Sequence, residues 1–272
     1  FKVSGVGWEW DGVKKEIEIK FDVVVEFTQG IADSLQGMGA RADAAEKTEI
    51  HSGNLVLQTT AEAYRFEFTQ AVHVVSADMD LKSEVLIALA DAPQGQQSGA
   101  PVAAAGQLDA VRQLIAQEKV VIEQAGRVLR AGRAEFLLRE RKAQFSGLPQ
   151  IQAEGAYLSG ASIHSQAGEL TVHGSAEAGR AQMIVSQAGG FGLLGGAALS
   201  DDTIVLADSI VMRELESENR FVFGGSVEVM SGALQLHAQT LTLFADQAGE
   251  PAAESEADDA MRVGEVRRVC AE

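Results

Sequence analysis

The stretch Arg220 to Leu236, RFVFGGSVEVMSGALQL, alternates apolar and polar residues and breaks at Ser231-Gly232. Arg65 to Leu81, RFEFTQAVHVVSADMDL, carries Arg, Phe, Phe, Val, Val, Ser and Leu at the same places, at a constant offset of 155 residues. Within each stretch apolar residues recur at a period of two, which suits a half-buried strand and cannot form the stripe of a helix. Small and polar residues such as Ser76-Ala77-Asp78 and Ser231-Gly232-Ala233 interrupt the pattern after about ten residues, where turns between short antiparallel strands are expected. The repeated unit is strand, turn, strand, and internal repetition of this kind decides the fold class before anything else does.

Three further copies extend the repeat. Lys14 to Phe27, KKEIEIKFDVVVEF, sets Ile17, Ile19, Val23 and Val25 where Phe66, Phe68, Val72 and Val74 stand. Lys142 to Ile163 aligns with Arg65 to Leu86 without a gap, placing Phe145 on Phe68, Ile151 on Val74, Leu158 on Leu81 and Ile163 on Leu86. Pro149 replaces the first valine of that copy, which predicts an edge or bulged position, because proline cannot donate to a ladder. The fifth copy, LIAQEKVVIEQAGRVLRAGRAEFLL from Leu114 to Leu138, sets Val120 and Ile122 on Val72 and Val74, and Leu129 on Leu81.

Leu55 to Gln58, Glu169 to His173, Ala181 to Val185 and Thr203 to Met212 show the same short alternation between Gly, Ser, Asp or Asn clusters. Gln107 to Glu118 is the best helix candidate, with helix formers and the spacing Leu108, Val111, Leu114, Ile115; it competes with the repeat at Leu114. Two stretches read as loops, Asp91 to Gly106 and Gln247 to Ala260. The chain is therefore expected to be all-β and to divide into a unit over 1–91, a loop or linker over 92–107, a second unit over 108–246 and an acidic tail over 247–272. Strands with one apolar face must cover it with another sheet, in a sandwich, barrel or solenoid.

Composition narrows the function. The chain has 272 residues, 46% of them hydrophobic and only 6% aromatic, and Val, Leu, Ile and Ala supply most of the apolar surface. Its formal net charge of −17 argues against nucleic acid or an anionic membrane surface as the main partner. The single cysteine, Cys270, has no internal partner for a disulfide. The longest run free of charges and strongly polar residues, Gly189 to Leu199, is too short and too glycine-rich to cross a bilayer, which takes about 20 apolar residues. The chain starts at Phe1 without a charged and then apolar leader, so a signal peptide or anchor is expected to lie upstream or to have been removed.

A strand of the form [RK]-apolar-x-[FV]-x-G-x-V-x-V, a small turn, and then L-x-A-x-x-apolar-x-apolar resembles the repeat of the lipopolysaccharide-transport proteins of the OstA-like family, which includes LptA and LptC. RFVFGGSVEVMSGALQLHAQTLTLF, RFEFTQAVHVVSADMDLKSEVLIAL, GRVLRAGRAEFLLRERKAQFSGLPQIQ and the opening GVGWEWDGVKKEIEIKFDVVVEF carry the likeness over more than half of the chain. The resemblance implies a periplasmic β-jellyroll whose two antiparallel sheets fold over an apolar groove for the acyl chains of lipopolysaccharide. It implies a place in outer-membrane biogenesis of Gram-negative cells, in a bridge between the two membranes. Its partners would be lipopolysaccharide, neighbouring transport proteins and the inner-membrane ABC transporter, and an anchor beyond the given sequence would tie an LptC-like protein to the inner membrane.

The candidate lipid-binding residues are the inward positions of the copies: Phe66, Phe68, Val72, Val74, Phe145, Ile151, Phe221, Phe223, Val227 and Val229. Taken singly, such a residue usually just fills the core, since apolar strand faces pack on each other; the functional reading belongs to the set. Edge strands are a second expected site, where another protein can add a strand. The rival reading is a repetitive β-solenoid with a packed interior, serving structure or adhesion.

Little in the sequence suggests catalysis, a cofactor or a metal. Asp78 and Asp80 form a carboxylate pair at a turn without a base or nucleophile beside them, and the aligned copy has Ala233 and Gln235 there. The histidines at 51, 73, 164, 173 and 237 are scattered, although alternating strands can bring two together. GVG at Gly5 and GGFGLLGG at Gly189 have no helix behind them and read as turns instead of phosphate loops.

Overall fold

The computed structural model describes residues 2–27, 47–59, 63–76, 79–91, 111–124, 126–153, 155–186, 202–215, 218–246 and 266–272. Almost all of this is strand, as the period-two pattern predicts. The elements are β1 (Lys2–Ser4), β2 (Trp8–Asp11), β3 (Glu16–Phe27), β4 (Thr48–Thr59), β5 (Ala63–Ser76), β6 (Met79–Asp91), β7 (Val111–Gln124), β8 (Arg127–Leu137), β9 (Lys142–Ser146) and β10 (Gln150–Ala153). Then come β11 (Ala156–Ser159), β12 (Ser162–Gln166), β13 (Glu169–His173), β14 (Ala181–Val185), β15 (Thr203–Ala207), β16 (Ser209–Glu214), β17 (Glu218–Ser231), β18 (Leu234–Asp246) and β19 (Val266–Ala271). A 3-10 turn, Leu138–Glu140, separates β8 from β9. Every register determined is antiparallel.

The chain forms two compact units: the first holds the described residues up to 122 and 132–143, the second holds 123–131 and those from 144 onward. In the first unit β3, β4, β5 and β6 form a meander of long strands, with β1 and β2 side by side along β3. Two ion pairs, Arg112 to Asp91 at 2.9 Å and Lys119 to Glu84 at 2.8 Å, step back along β6 as they step forward along β7, so β7 runs antiparallel beside β6.

Each long strand of the meander changes direction partway, and the backbone shows how. Two consecutive residues have positive φ at the same place in all five copies of the repeat: Phe21 and Asp22 (67° and 49°), Gln70 and Ala71 (68° and 56°), Glu118 and Lys119 (62° and 53°), Gly147 and Leu148 (78° and 59°), and Gly225 and Ser226 (77° and 48°). Each doublet immediately precedes the residue aligned with Val72, namely Val23, Val72, Val120, Pro149 or Val227. The registers shift there, between Lys20 and Val23, Thr69 and Val72, and Gly224 and Val227. These are bulges that bend the strand. At each shift two residues of the bulged strand stand against one of its neighbour. The bulged strand keeps its parity, buried at 66, 68, 72 and 74, while the neighbours change theirs, buried at 48, 50, 52 and then 55, 57 on β4 and at 79, 81, 83 and then 86, 88, 90 on β6. The apolar faces therefore stay on one side beyond the bend.

Neighbouring strands accommodate the bends. Gly53 on β4 lies between the doublets of β3 and β5, and a Cβ there would meet the Gln70 side chain at 2.7–2.8 Å. In the second unit Arg180 holds the bend of β17, donating to the carbonyls of Leu206, Gly225 and Ser226. The Asp208 amide bonds the carbonyls of Gly224 and Gly225 at 3.0 and 3.1 Å.

The bend sorts the second unit into two half-sheets. One runs β8, β10, β11, β14, β15, then residues 227–231 of β17 and 234–238 of β18. The other runs β12, β13, β16, then the first part of β17, the second part of β18, and β19. One side of each strand is buried along most of this length and the other is not, so the buried sides cover one another across the fold, as stacked sheets do. The likeness between units is closer than the sequence pattern revealed. Thr48 pairs with Ser76 through buried hydroxyls at 2.9 Å, and Thr203 pairs with Ser231 in the same way at 3.0 Å, again 155 residues on. The single strand β4 thus corresponds to β15 and β16 together.

The helix candidate over Gln107 to Glu118 is wrong for the described part of it: Val111 to Glu118 lies in β7. Val111, Leu114, Ala116, Val120 and Ile122 are buried while Ile115 points to the other face. Irregularities in the strand open gaps of three and four residues between apolar positions, which imitate the spacing of a helix. Pro149 is buried at a bend, in line with the bulged position expected of it. The expected linker over 92–107, the tail stretch Gln247 to Ala260 and the tract Gly189 to Gly196 lie outside the described residues.

Two substitutions test this account in opposite directions. Phe223→Ala removes a fully buried ring and is expected to lower the unfolding free energy by about 3–5 kcal/mol. Ala71→Gly relieves a left-handed residue costing about 1–2 kcal/mol, less about 0.5–1 for the flexibility of glycine, so a gain of up to about 1 kcal/mol is expected. Denaturant titration reads both, and a loss of stability in Ala71→Gly would contradict the strained bend.

Candidate functional site

Cross-strand register joins the inward residues into lanes. In the first unit Trp8, Ile19, Leu55, Phe68 and Leu86 stand opposite one another across five strands, and Trp10, Ile17, Leu57, Phe66 and Ala88 form the next lane. At roughly 4.8 Å between strands each lane is about 19 Å long. Exposure falls along them from the edge inward: Trp8 is 72% and Trp10 45% exposed, Ile19 and Ile17 are half-buried, and the phenylalanines are buried. In the second unit a lane runs Leu129, Ile151, Leu158, Met183, Val205, Val229, Leu236. All are buried up to Val229, and Leu236 is half-buried.

All ten inward candidates lie on the buried faces, none more than 4% exposed. Phe66, Phe68, Val72 and Val74 belong to the first unit, and the other six to the second. The sequence reading missed the two tryptophans. Their signal was present in WEW, whose alternation continues the lanes of β3 onto an edge strand.

It also missed Arg127. In the fifth copy of the repeat Arg127 falls where Met79 stands, an inward position that is apolar or small in the other aligned copies, Ala156 and Leu234. Arg127 is 4% exposed, on the same face as Leu129, and its Nε and Nη2 atoms have no hydrogen-bond partner. Burial pulls its guanidinium down to about 10, and the Glu214 carboxylate pulls the other way. On the second half-sheet of the same unit the Ser165 hydroxyl is fully buried and lacks a partner as well.

The outer faces carry the polar chemistry the sequence offered. Asp80 accepts a hydrogen bond from His73 at 2.6 Å and pairs with Lys82 at 3.2 Å, while Asp78 lies outside the described residues. Strand pairing brings histidines together twice: the His51 and His73 rings are 6.2 Å apart, and His164 and His173 meet edge to face at 5.5 Å. Among the described residues no three His, Cys, Asp or Glu side chains are grouped as a metal site would require. Cys270 is exposed on β19. No helix among the described residues is long and apolar enough to cross a membrane. No family model matches the chain, and no curated protein matches it.

Asp80 gives a pH dependence. Burial disfavours its charge, but the bonds to His73 and Lys82 outweigh this and hold its carboxyl below the usual 3.8. A lowered folded-state value stabilises the fold above the unfolded pKa and is lost as pH falls through the folded one. Asp80→Asn is expected to cost under about 1 kcal/mol at pH 7, since the site is partly solvated. The difference from the parent protein should close below pH 4, as followed by thermal unfolding from pH 7 to 3; a gap that widens with acid would contradict the assignment.

Proposed function

We propose that the protein is a non-enzymatic carrier of lipopolysaccharide, holding acyl chains against the apolar inner faces of its folded sheets, in the periplasm and on the path from inner to outer membrane. The observation that carries the reading is the graded lane. An apolar row that begins at exposed tryptophans and runs without a polar interruption to buried phenylalanines is a surface along which a long apolar chain can slide. Each methylene it covers contributes about 0.8 kcal/mol. The family resemblance of the repeat supports the same cargo.

The edges suit the partners. Among the described residues of their unit β1 and β2 pair with β3, and among those of its unit β19 pairs with β18, with no further strand register determined for them there. The outer sides of these strands offer backbone groups to another transport protein, or to the inner-membrane transporter, by strand addition. The inner faces then continue from one protein to the next.

One observation favours the second reading, a structural β module with a packed interior: the ten inward candidates are buried by the protein's own side chains and backbone. Loading therefore requires the half-sheets of a unit to part. Photo-crosslinking residues at Phe68 and Phe223 in Gram-negative cells distinguish the two. The carrier should give lipopolysaccharide adducts at both and none at exposed control positions on the outer faces. Absence of adducts at several inward positions would leave the packed module standing.

A further inference from the structure

We propose that Arg127 is the binding site for the anionic headgroup of an acylated amphiphile, gripping a phosphate or carboxylate at the end of the apolar lane that starts at Leu129. The inference rests on the carrier reading and adds a polar anchor to it. Three observations support it. First, Arg127 sits in a row of inward positions where a side chain need only be apolar, and Met79 shows that methionine fits the equivalent place. Second, its guanidinium is buried, yet Nε and Nη2 are unpartnered, and among the described residues no carboxylate lies within ion-pair distance. A buried, unpaired charge is strongly unfavourable, so a fold that keeps one has a use for it. Third, the chain carries a net charge of −17, so an anionic ligand is repelled in general and needs a local cation to enter.

The geometry of the lane specifies the ligand. Arg127 precedes Leu129 on the same face of β8, and Leu129 opens the run through Ile151, Leu158, Met183, Val205 and Val229. A chain lying along that run places its head at Arg127. A guanidinium presents a planar fork of donors that matches the two oxygens of a phosphate or carboxylate and stays charged at neutral pH. The unpartnered Ser165 hydroxyl on the other half-sheet is a further donor inside the same unit.

Calorimetry with four probes kept below micelle formation tests the proposal: dodecyl phosphate, dodecanoate, dodecanol and inorganic phosphate. The parent protein should bind dodecyl phosphate or dodecanoate at least about tenfold more tightly than dodecanol, the equivalent of one charge-assisted hydrogen bond. In Arg127→Met that ratio should fall to about one. Arg127→Met should also melt at a higher temperature than the unliganded parent, because an unpaired buried charge has been replaced by the residue found at 79. Arg127→Gln serves if the methionine variant does not fold. Equal binding of charged and neutral amphiphiles would overturn the headgroup site and leave the carrier intact. Inorganic phosphate binding as tightly as dodecyl phosphate would overturn the amphiphile in favour of a free ion. Failure of all three amphiphiles to bind would overturn the carrier itself.

Discussion

The period of two along a strand is the constraint on which the rest of this structure depends. An apolar face that must stay covered on both sides of a bend needs neighbouring strands to carry their inward positions through it together, because an uncompensated slip of one residue turns every following side chain to the other face. Each copy of the repeat places two residues in the left-handed region at the bend, at Phe21-Asp22, Gln70-Ala71, Glu118-Lys119, Gly147-Leu148 and Gly225-Ser226, and β4 and β6 compensate by moving their buried positions from even to odd or from odd to even there, 52 to 55 and 83 to 86. Eight of these ten residues are not glycine, so the bends are held against a backbone penalty of about 1–2 kcal/mol per residue. Burial of the phenylalanines and valines on either side is what holds them.

This constraint also explains how much of the fold was legible in the sequence. The repeats and the all-β class could be read directly, because apolar residues at 66, 68, 72 and 74 keep one parity through the bend. The bends themselves could not be recognised from chemistry, since Phe-Asp, Gln-Ala and Glu-Lys share no property; only Gly147 and Gly225 hint at positive φ. The same irregularity misled the reading of Val111 to Glu118, where gaps of three and four between apolar residues look helical although the backbone is extended. The hydroxyl pairs Thr48 with Ser76 and Thr203 with Ser231 were hidden for a different reason. Each joins residues far apart in the chain, and only register brings them together.

The inner faces were predicted residue by residue, yet their burial leaves two demands in tension. A core is most stable when its half-sheets close on each other, whereas a carrier must replace that packing with its cargo. An acyl chain lying between parted half-sheets keeps their apolar faces away from water, so the replacement is close to neutral in hydrophobic terms. Arg127 was invisible to a search for apolar alternation because it is the exception to it. A position that breaks a pattern kept by its counterparts at 79, 156 and 234 is informative in a repeat protein for that reason.

The long hairpins have a mechanical consequence. β5 with β6, and β17 with β18, are paired nearly residue by residue from one end to the other, so the first hairpin runs through the bend of its meander and the second contributes to both half-sheets of its unit. Neither half can melt while the other stays intact, and the unit should unfold cooperatively. Opening is a different motion from unfolding. The doublets interrupt the ladders of both hairpins at one level, so a change of angle there would turn the two ends of a hairpin against each other while leaving the ladder hydrogen bonds on either side in place.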